Sequence, residues 1–441
     1  MTTFPGSLRL ILWLLAISPL LALHGAIIAP SLTHPPAQQA EGVFWRTHWY
    51  DREAFTPKIG YTRRARINAA NAVLDPRWGI RTETRENGLL LITTEEDLFQ
   101  VRAAELYAEL WGGHPGTANK RFTVNGRSFY QLPHSGTEAG HCTYSYPTTA
   151  LQISDLVNGI NAIQWNVDPG TTFWGHAMID NAAIRFALTN THPDLVTFGL
   201  SGFQANVVVD AKPAREEIEL SLNFSPEFEK SIASVEYEAW YRGYDENGNR
   251  HQRDWHSFTQ HRRRRGHLGT TRETPFNLTW DTSMIPAQKN VSVRAIVHFK
   301  EDTNLSFVTS AIAGHSIADR PGVAVHLYEP ADLPASFWSR DDRAVTCHIT
   351  LDEAPDQIER AELYVISWTG GPGNIQNYFT LNGTHYPIAE GHQHEIQFNR
   401  LKVDPTHLHR GSNAIRLHSD TKHHGIEIIY PGPALMVRYR F

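Results

Sequence analysis

Short runs in which apolar and polar residues alternate recur along the chain, and each run predicts a β-strand with one buried face. The clearest runs are 104–110, 121–124, 162–167, 361–367, 378–381 and 414–418. Asn-Gly at 125–126 and at 382–383 follows two of them, and this pair favours a tight hairpin because both residues tolerate a positive φ. No segment of the sequence keeps a helical apolar period over a useful length. The pattern therefore predicts an all-β fold of sandwiches or jelly rolls.

An internal repeat relates the earlier runs to the later ones. Ala-Glu-Leu-Tyr at 104–107 recurs at 361–364, and in both places a Trp and a loop rich in Gly follow. The other matched pairs, in the same order, are 122–126 with 379–383, 140–141 with 391–392, 159–163 with 411–415, and 183–186 with 436–439. Ordered matches of this kind indicate two copies of one domain.

The segment between the copies forms a third unit. It is β-rich, and Trp280-Asp281 followed by the alternating run 291–297 resembles the end of an immunoglobulin-like domain. The stretch after this unit is rich in Pro and charged residues, which is typical of a linker. We therefore predict a signal peptide at 1–26, a linker and N-terminal arm at 27–87, a first jelly-roll β-sandwich at 88–192, an immunoglobulin-like β-domain at 193–313, a linker at 314–343 and a second jelly-roll β-sandwich at 344–441.

The N-terminus has the pattern of a secretory signal. An apolar run from Leu10 to Leu23 follows a single basic residue, and it is shorter than the roughly 20 residues of a membrane-spanning helix. Cleavage near Gly25 or Ala26 is the preferred interpretation, and a retained anchor is the alternative. No later stretch of the sequence is apolar enough to cross a bilayer. We therefore expect a secreted protein with no membrane span once the signal is removed.

Glycosylation motifs and cysteines agree with export. N-x-S/T motifs occur at Asn223, Asn277, Asn290, Asn304 and Asn382, although a chain this rich in Asn and Thr also produces several by chance. Cys142 and Cys347 could form a disulfide in an oxidising compartment, or both could be buried thiols. Two cysteines are too few for a disulfide-built scaffold.

The charge of the chain limits its partners. A formal net charge of -6 excludes a generally basic nucleic-acid binder, so we expect no nucleic-acid partner. The strongest basic segment, 261–267, carries four adjacent Arg residues that repel one another and must be exposed. This segment could bind a sulfated or uronic polysaccharide, mark a processing site, or be a solvated loop.

The turn residues of the second copy carry a resemblance to a known family. Asn382-Gly383, then Gly391-His392, then Leu408 to Ile415 looks like the pattern of galactose-binding-like jelly-roll domains. That family includes carbohydrate-binding modules and the sugar-binding domains of some glycosidases. The resemblance covers both copies, about half of the chain, and it implies a β-sandwich with a glycan ligand. Because members that bind no sugar share the same turns, the fold alone does not establish the function.

Aromatic residues in the loops of the two copies are the candidates for glycan binding. Trp111 and Trp368 precede the Gly-rich loops and could stack on a sugar ring, or they could pack in the core at a strand end. The differing loops of the copies add further candidates, namely Trp174, His176, His424 and Tyr430. His141 and His392 occupy matched positions.

The composition is unusual in having 24 His and 12 Trp, and many of the His lie in the second copy. His392 with His394, and His407 with His409, would each share one face of a strand and could coordinate zinc or copper. The first copy has no partner where His394 stands, so we favour solvated or hydrogen-bonded His and expect no metal there. The segment 245–249 offers oxygen ligands for calcium, but Arg250 stands where an EF-type loop requires Gly, which favours a hairpin turn.

Enzyme motifs point to no particular chemistry. The sequence lacks G-x-S-x-G, a phosphate-binding loop, a dinucleotide-binding fingerprint and Cys-x-x-Cys. We therefore predict non-catalytic recognition of a polysaccharide or other glycan by loop aromatics. A glycoside hydrolase or polysaccharide lyase, with its site in the second copy or between the copies, is one alternative. A structural or adhesive extracellular protein is another.

Overall fold

The computed structural model describes residues 42–50, 65–68, 88–113, 117–132, 144–168, 176–212, 216–243, 268–388, 396–422, 424–429 and 432–441. These residues are mostly in antiparallel strands, which confirms the predicted all-β fold of two β-sandwiches with a further β-sandwich between them. Among the described residues, no helix has the length and apolar character that crossing a bilayer requires.

The strands fall into three groups along the chain. The first group is β1 (Val43–Trp49), β2 (Ala65–Asn68), β3 (Leu89–Thr94), β4 (Val101–Trp111), β5 (Ala118–Val124), β6 (Phe129–Gln131), β7 (Tyr144–Ser145), β8 (Thr148–Leu151), β9 (Gly159–Asp168) and β10 (His176–Leu188). A short helix, α1 (Pro193–Thr197), follows. The second group is β11 (Ala205–Lys212), β12 (Glu217–Phe224), β13 (Ile232–Trp240), β14 (Gly269–Thr271), β15 (Leu278–Asp281), β16 (Gln288–Phe299), β17 (Leu305–Val308) and β18 (Ile312–Ile317). The third group is β19 (Val323–Tyr328), β20 (Trp338–Ser339), β21 (Val345–Leu351), β22 (Ile358–Thr369), β23 (Phe379–Leu381), β24 (Thr384–His385), β25 (Ile396–Val403), β26 (Gly411–Leu417), β27 (Ile426–Ile428) and β28 (Ala434–Arg440).

The first and last sandwiches have the same four-stranded sheet. In the first it runs β3-β9-β5-β6, and in the last it runs β21-β26-β23-β24, so strands built from the matched sequence segments hold matched places. The sheet of the last sandwich packs against a six-stranded sheet that contains β22 and β28. The sheet of the first packs against β10 and β4, which belong to an eleven-stranded sheet.

Equivalent asparagines hold the hairpins of both sandwiches. Asn125 and Asn382 have φ of 52° and 51°, and each is followed by a Gly of positive φ, which confirms the predicted hairpin turns. The Asn382 side chain donates to the Asn413 side chain at 2.8 Å and to a backbone carbonyl, and it accepts the N–H of Ala414 at 2.8 Å. Asn125 makes the same set of bonds. Since its side-chain nitrogen is fully used, Asn382 is a poor site for a glycan.

Strand β1 joins the first sandwich to the middle one. It lies in the segment that the sequence assigns to a linker and arm, and it pairs with β10 on one side and β17 on the other. One hydrophobic core therefore runs through both sandwiches, while the last sandwich has a core of its own.

Part of the segment expected to be the second linker is also in strands. β19 pairs with β28 and β20 pairs with β27, so both belong to the six-stranded sheet of the last sandwich. Arg320, from the same segment, donates to three backbone carbonyls of the middle sandwich. Arg438 of β28 bonds Glu216 of the middle sandwich at 2.7 Å. Arg320 of this segment and Arg438 of β28 thus both contribute to the contact between the middle and last sandwiches.

Candidate functional site

The two tryptophans that the repeat brings into register lie in one apolar cluster between the first and last sandwiches. We call this cluster the inter-sandwich seam. Its members are Trp49, Tyr107, Trp111, Tyr144, Tyr146, Met178, Ala183, Ile366, Trp368, Ile396, Phe398 and Ile429. The matched positions Trp111 of one copy and Trp368 of the other thus face a common interface.

Trp111 packs against protein in this seam. It is 7% exposed at the end of β4, so its indole has no room to stack on a sugar, and of the two interpretations the structure supports core packing. The strand-end position suggested exposure, but Trp111 is buried in a cluster that also includes residues of the other copy. Trp368, at the same position in β22, is half-buried and keeps part of its surface open.

The Gly-rich loop after Trp368 is shaped by the protein's own backbone. A Cβ on Gly370 would overlap the carbonyl oxygen of His424, and the Gly370 N–H donates to Gly425 at 2.7 Å. The lack of a side chain at Gly370 thus allows a close approach of this neighbouring loop. His424 sits edge-on to Trp368, with their ring centroids 6.1 Å apart.

Most of the other predicted site residues cannot be placed. His141, Trp174, His392, His394 and Tyr430 lie outside the described residues, and only the backbone of His176, the first residue of β10, is described. In the sequence, however, these residues are close neighbours of seam residues: Tyr144, Met178, Ile396 and Ile429.

A row of side chains across three strands forms the open edge of the seam. Glu427 of β27 is paired with Trp338 of β20 on one side and with Trp368 of β22 on the other. Directly opposed residues point to the same face of a sheet, so two indoles flank one carboxylate, about 9.5 Å apart at their backbones. Both indoles are half-buried, whereas Glu427 is 8% exposed. We call Trp338, Glu427 and Trp368 the indole row.

Two arginines add positive charge at one end of the indole row. The guanidinium carbons of Arg340 and Arg343 lie 4.5 Å and 5.7 Å from the centre of the Trp338 ring. Between them, Asp341 and Asp342 both have a positive φ, and the backbone N–H of Arg343 donates to the Arg340 carbonyl. The segment is therefore a tight turn of a type that Gly and Asn usually occupy. The row therefore offers aromatic surface and guanidinium donors side by side. Trp338 was not among the predicted site residues because it lies in the segment 314–343, whose sequence is typical of a linker.

A buried ion cluster supports the seam beneath Phe398. Glu362 accepts hydrogen bonds from Arg400 at 2.8 Å and from the hydroxyl of Tyr364, whose ring lies nearly parallel to that of Phe398. Burial on its own would raise the pKa of Glu362, but these bonds and the charge of Arg400 hold it below its usual range. Glu362 is therefore a charged structural group.

The candidate metal-binding pair His407 and His409 is arranged differently from the same-face pair that the sequence suggested. His407 ends a short turn and His409 precedes β26, so they are not a same-face pair on a strand, and the His407 ring bonds the Tyr386 hydroxyl at 2.7 Å. No group of three or more His, Cys, Asp or Glu among the described residues could hold a metal. The candidate calcium loop 245–249 and the Arg run 261–267 lie outside the described residues, as does Cys142, while Cys347 is buried in the core of the last sandwich.

Comparison with known proteins identifies no family. No protein-family model matches the sequence, and no curated protein matches it significantly. Among solved structures, a β-porphyranase of glycoside hydrolase family 86 from Bacteroides plebeius matches at 12% identity over 54% of this chain and 37% of its own, with a TM-score of 0.23. A β-glucuronidase from an uncultured Clostridium species matches at 8% identity over 69% of this chain and 49% of its own, with a TM-score of 0.18.

A third solved structure is the M60 catalytic domain with two CBM51 domains of Clostridium perfringens ZmpB. It matches at 9% identity over 54% of this chain and 31% of its own, with a TM-score of 0.16. The chain thus spans less than half of each of these three proteins. Likenesses at these scores carry no argument about function.

Proposed function

We propose that this protein is exported and binds glycans without cleaving them, and that the indole row is its site. The observation that carries the proposal is that Trp338 and Trp368, two half-buried indoles, lie two strands apart on one face of the six-stranded sheet. The apolar face of a sugar ring stacks on such flat aromatic surface at little entropic cost, since an indole has few rotatable bonds.

The surroundings of the row supply the polar half of such a site. Arg340 and Arg343 carry several N–H donors each, and a sugar presents many oxygen acceptors. Displacing the exposed Arg340 side chain from the half-buried Trp338 ring would cost only about 0.5–1 kcal/mol, the usual strength of a cation–π contact at the surface. The apolar run at the N-terminus supports export, and the repeated turn pattern supports a duplicated jelly roll of the galactose-binding-like type.

Affinity electrophoresis against a panel of plant, algal, fungal and bacterial polysaccharides tests this proposal. We expect the unaltered protein to be retarded by at least one polysaccharide, and Trp338→Ala and Trp368→Ala each to weaken that retardation about tenfold, because each removes one stacking surface. Phe99→Ala is the matched control, since Phe99 is an aromatic residue that is 97% exposed outside the seam.

Three outcomes would contradict the proposal in different ways. No retardation by any polysaccharide would remove glycan binding. Retardation that is unchanged in both Trp variants would remove the indole row as the site. Release of oligosaccharides from the panel would replace binding by catalysis.

A further inference from the structure

A second polar surface lies on the outer face of the four-stranded sheet of the last sandwich. Strand pairing sets Thr346, Arg416, Thr380 and His385 in one row across all four strands. Their strand neighbours, such as Ile415 and Leu417, are fully buried in the core, so the row faces outward. This outer row is on the opposite sheet from the indole row.

Hydrogen bonds fix the orientation of the arginine in this row. Arg416 donates from Nη2 to Nδ1 of His418 at 3.0 Å, because a guanidinium has no acceptor. The His418 ring must then carry its proton on Nε2, which donates to Asp342 at 2.7 Å. Asp342 reaches that position through the tight turn of positive-φ residues described above. The chain Arg416–His418–Asp342 thus holds one edge of the guanidinium in place.

The rest of that guanidinium is open. Within the described residues, Arg416 makes this one hydrogen bond and no salt bridge, although it is half-buried on a central strand. The acids nearby are engaged elsewhere: Asp342 bonds the far side of His418, and Asp420 bonds Asn374. A positioned guanidinium with free parallel N–H groups matches the geometry of a carboxylate or sulfate.

The neighbours of Arg416 suit a sugar that carries such a group. Thr346 and Thr380 flank Arg416 in the row, and Thr346 is half-buried whereas Thr380 is 5% exposed. At its end, the ring of His385 lies 4.9 Å from that of Tyr378, and the buried Nδ1 of His385 has no hydrogen-bond partner within the described residues. Thr346 and the half-buried ring of His385 are therefore the neighbours of Arg416 that can contact the sugar around its charged substituent.

The first sandwich provides an internal comparison. The same row there reads Leu89, Gln164, Thr123 and Phe129, and Asn166 stands where His418 stands. The side-chain amide of Gln164 bonds its own strand, and Phe129 is 62% exposed. The positioned cation is therefore particular to the last sandwich and is not required by the shared fold.

We infer that this outer row binds a sugar that carries a carboxylate or a sulfate, with Arg416 as the anion ligand. The sugar part of this inference rests on the proposed function, whereas the anion part does not. The site is separate from the indole row, so the two can fail independently.

Isothermal titration calorimetry of the intact protein with glucuronate, glucose 6-sulfate, glucose and inorganic sulfate tests the inference. We expect at least one charged sugar to bind at least tenfold more tightly than glucose and than inorganic sulfate. Arg416→Gln introduces the residue that the first sandwich has at this position, Gln164, and should abolish this preference. Arg416→Lys should weaken it several-fold, because a lysine cannot donate two parallel N–H bonds to one anion. Lys402→Gln is the control, since it removes an exposed cation from β25 of the same sandwich.

The inference is overturned if neither charged sugar binds more tightly than glucose, if inorganic sulfate binds as tightly as the preferred charged sugar, or if Arg416→Gln retains the preference. Circular dichroism and thermal unfolding of each variant show whether it is folded. Trp338→Ala and Trp368→Ala should leave binding of the charged sugar unchanged. Loss of polysaccharide retardation in those variants with the preference retained would separate the two sites.

Discussion

At the scale of single residues, asparagine does more to specify this fold than its polarity suggests. In each end sandwich, one Asn turns the hairpin with a positive φ and bonds a second Asn that holds the next turn. The hairpins were predictable because an Asn-Gly pair is a local signal. The partner asparagines, Asn161 and Asn413, are completely buried polar side chains, and only the folded arrangement shows what they bond.

Asn382→Ala tests this arrangement. The substitution leaves the Ala414 N–H and the His407 carbonyl without their side-chain partner, removes one of the hydrogen bonds of the Asn413 side chain, and places Ala at a positive φ. We therefore expect a loss of about 1–3 kcal/mol in the free energy of unfolding. Urea unfolding followed by fluorescence measures it. Asn125→Ala should cost a similar amount in the first sandwich. Asn382→Gly removes the same hydrogen bonds but tolerates the positive φ. If it loses as much free energy of unfolding as Asn382→Ala, the hydrogen bonds account for the effect and the φ angle does not.

The tryptophans show why the candidate site was only partly predictable. Trp111 and Trp368 have similar local sequences, but Trp111 is buried in a cluster that includes residues from the far end of the chain, such as Ile366 and Ile396. A local sequence pattern predicts where a strand ends, but it does not predict which residues pack against that end. Trp338 contributes to the indole row through two-residue strand pairing, which leaves no alternation in the sequence.

At the scale of elements, β1 joins the first and middle sandwiches into one sheet and one hydrophobic core. Its sequence, Val-Phe-Trp-Arg-Thr-His-Trp, is buried at its first five positions, so both of its faces are covered and no alternation marks it as a strand. A run of buried residues without alternation is usual for strands of parallel sheets. Here an antiparallel strand has such a run because it is central to an eleven-stranded sheet. This explains why the N-terminal arm could not be interpreted from the sequence.

Phe44→Ala tests the role of β1. Phe44 is 1% exposed, and its ring lies 5.1 Å from that of Phe307 and 5.5 Å from that of Phe299, both in the middle sandwich. We expect a loss of about 3–5 kcal/mol from the cavity left behind. Because one core spans both sandwiches, the first and middle sandwiches should unfold in one transition. Differential scanning calorimetry should show this whole transition at a lower temperature in the variant. Phe99→Ala, at a fully exposed ring, should change stability by less than about 0.5 kcal/mol.

At the scale of the whole molecule, charged residues join units that the sequence suggested were separated by linkers. Arg320 and Arg438 bind Glu216 between the middle and last sandwiches. A charged, Pro-containing segment predicts a solvated connection, since sequence alone does not show whether its charges have partners across an interface. A second contact of this kind lies between β1, α1 and the middle sandwich, where one acid accepts hydrogen bonds from several basic residues.

That acid is Glu96, whose side chain is fully buried. It accepts hydrogen bonds from Arg46 at 3.1 Å, from His48 at 3.1 Å and from His192 at 3.1 Å, and Arg46 also bonds Asp302 of the middle sandwich at 2.9 Å. Burial on its own would raise the pKa of Glu96, but the bond from His48 and the charge of Arg46 more than offset this and hold its pKa below the usual range.

A pKa that is lower in the folded than in the unfolded state stabilises the fold above the unfolded value, about 4.3 for Glu. That contribution is lost as the pH falls from there through the folded value. We therefore expect the free energy of unfolding to decrease below about pH 4.3, and Glu96→Gln to make this decrease shallower while costing about 3–5 kcal/mol at neutral pH, because Arg46 loses a buried partner. Urea unfolding between pH 3 and pH 7 measures both effects. Glu301→Gln, at an exposed acid beside the cluster, should keep the original slope, and an equally steep slope in Glu96→Gln would show that other acids cause the acid sensitivity.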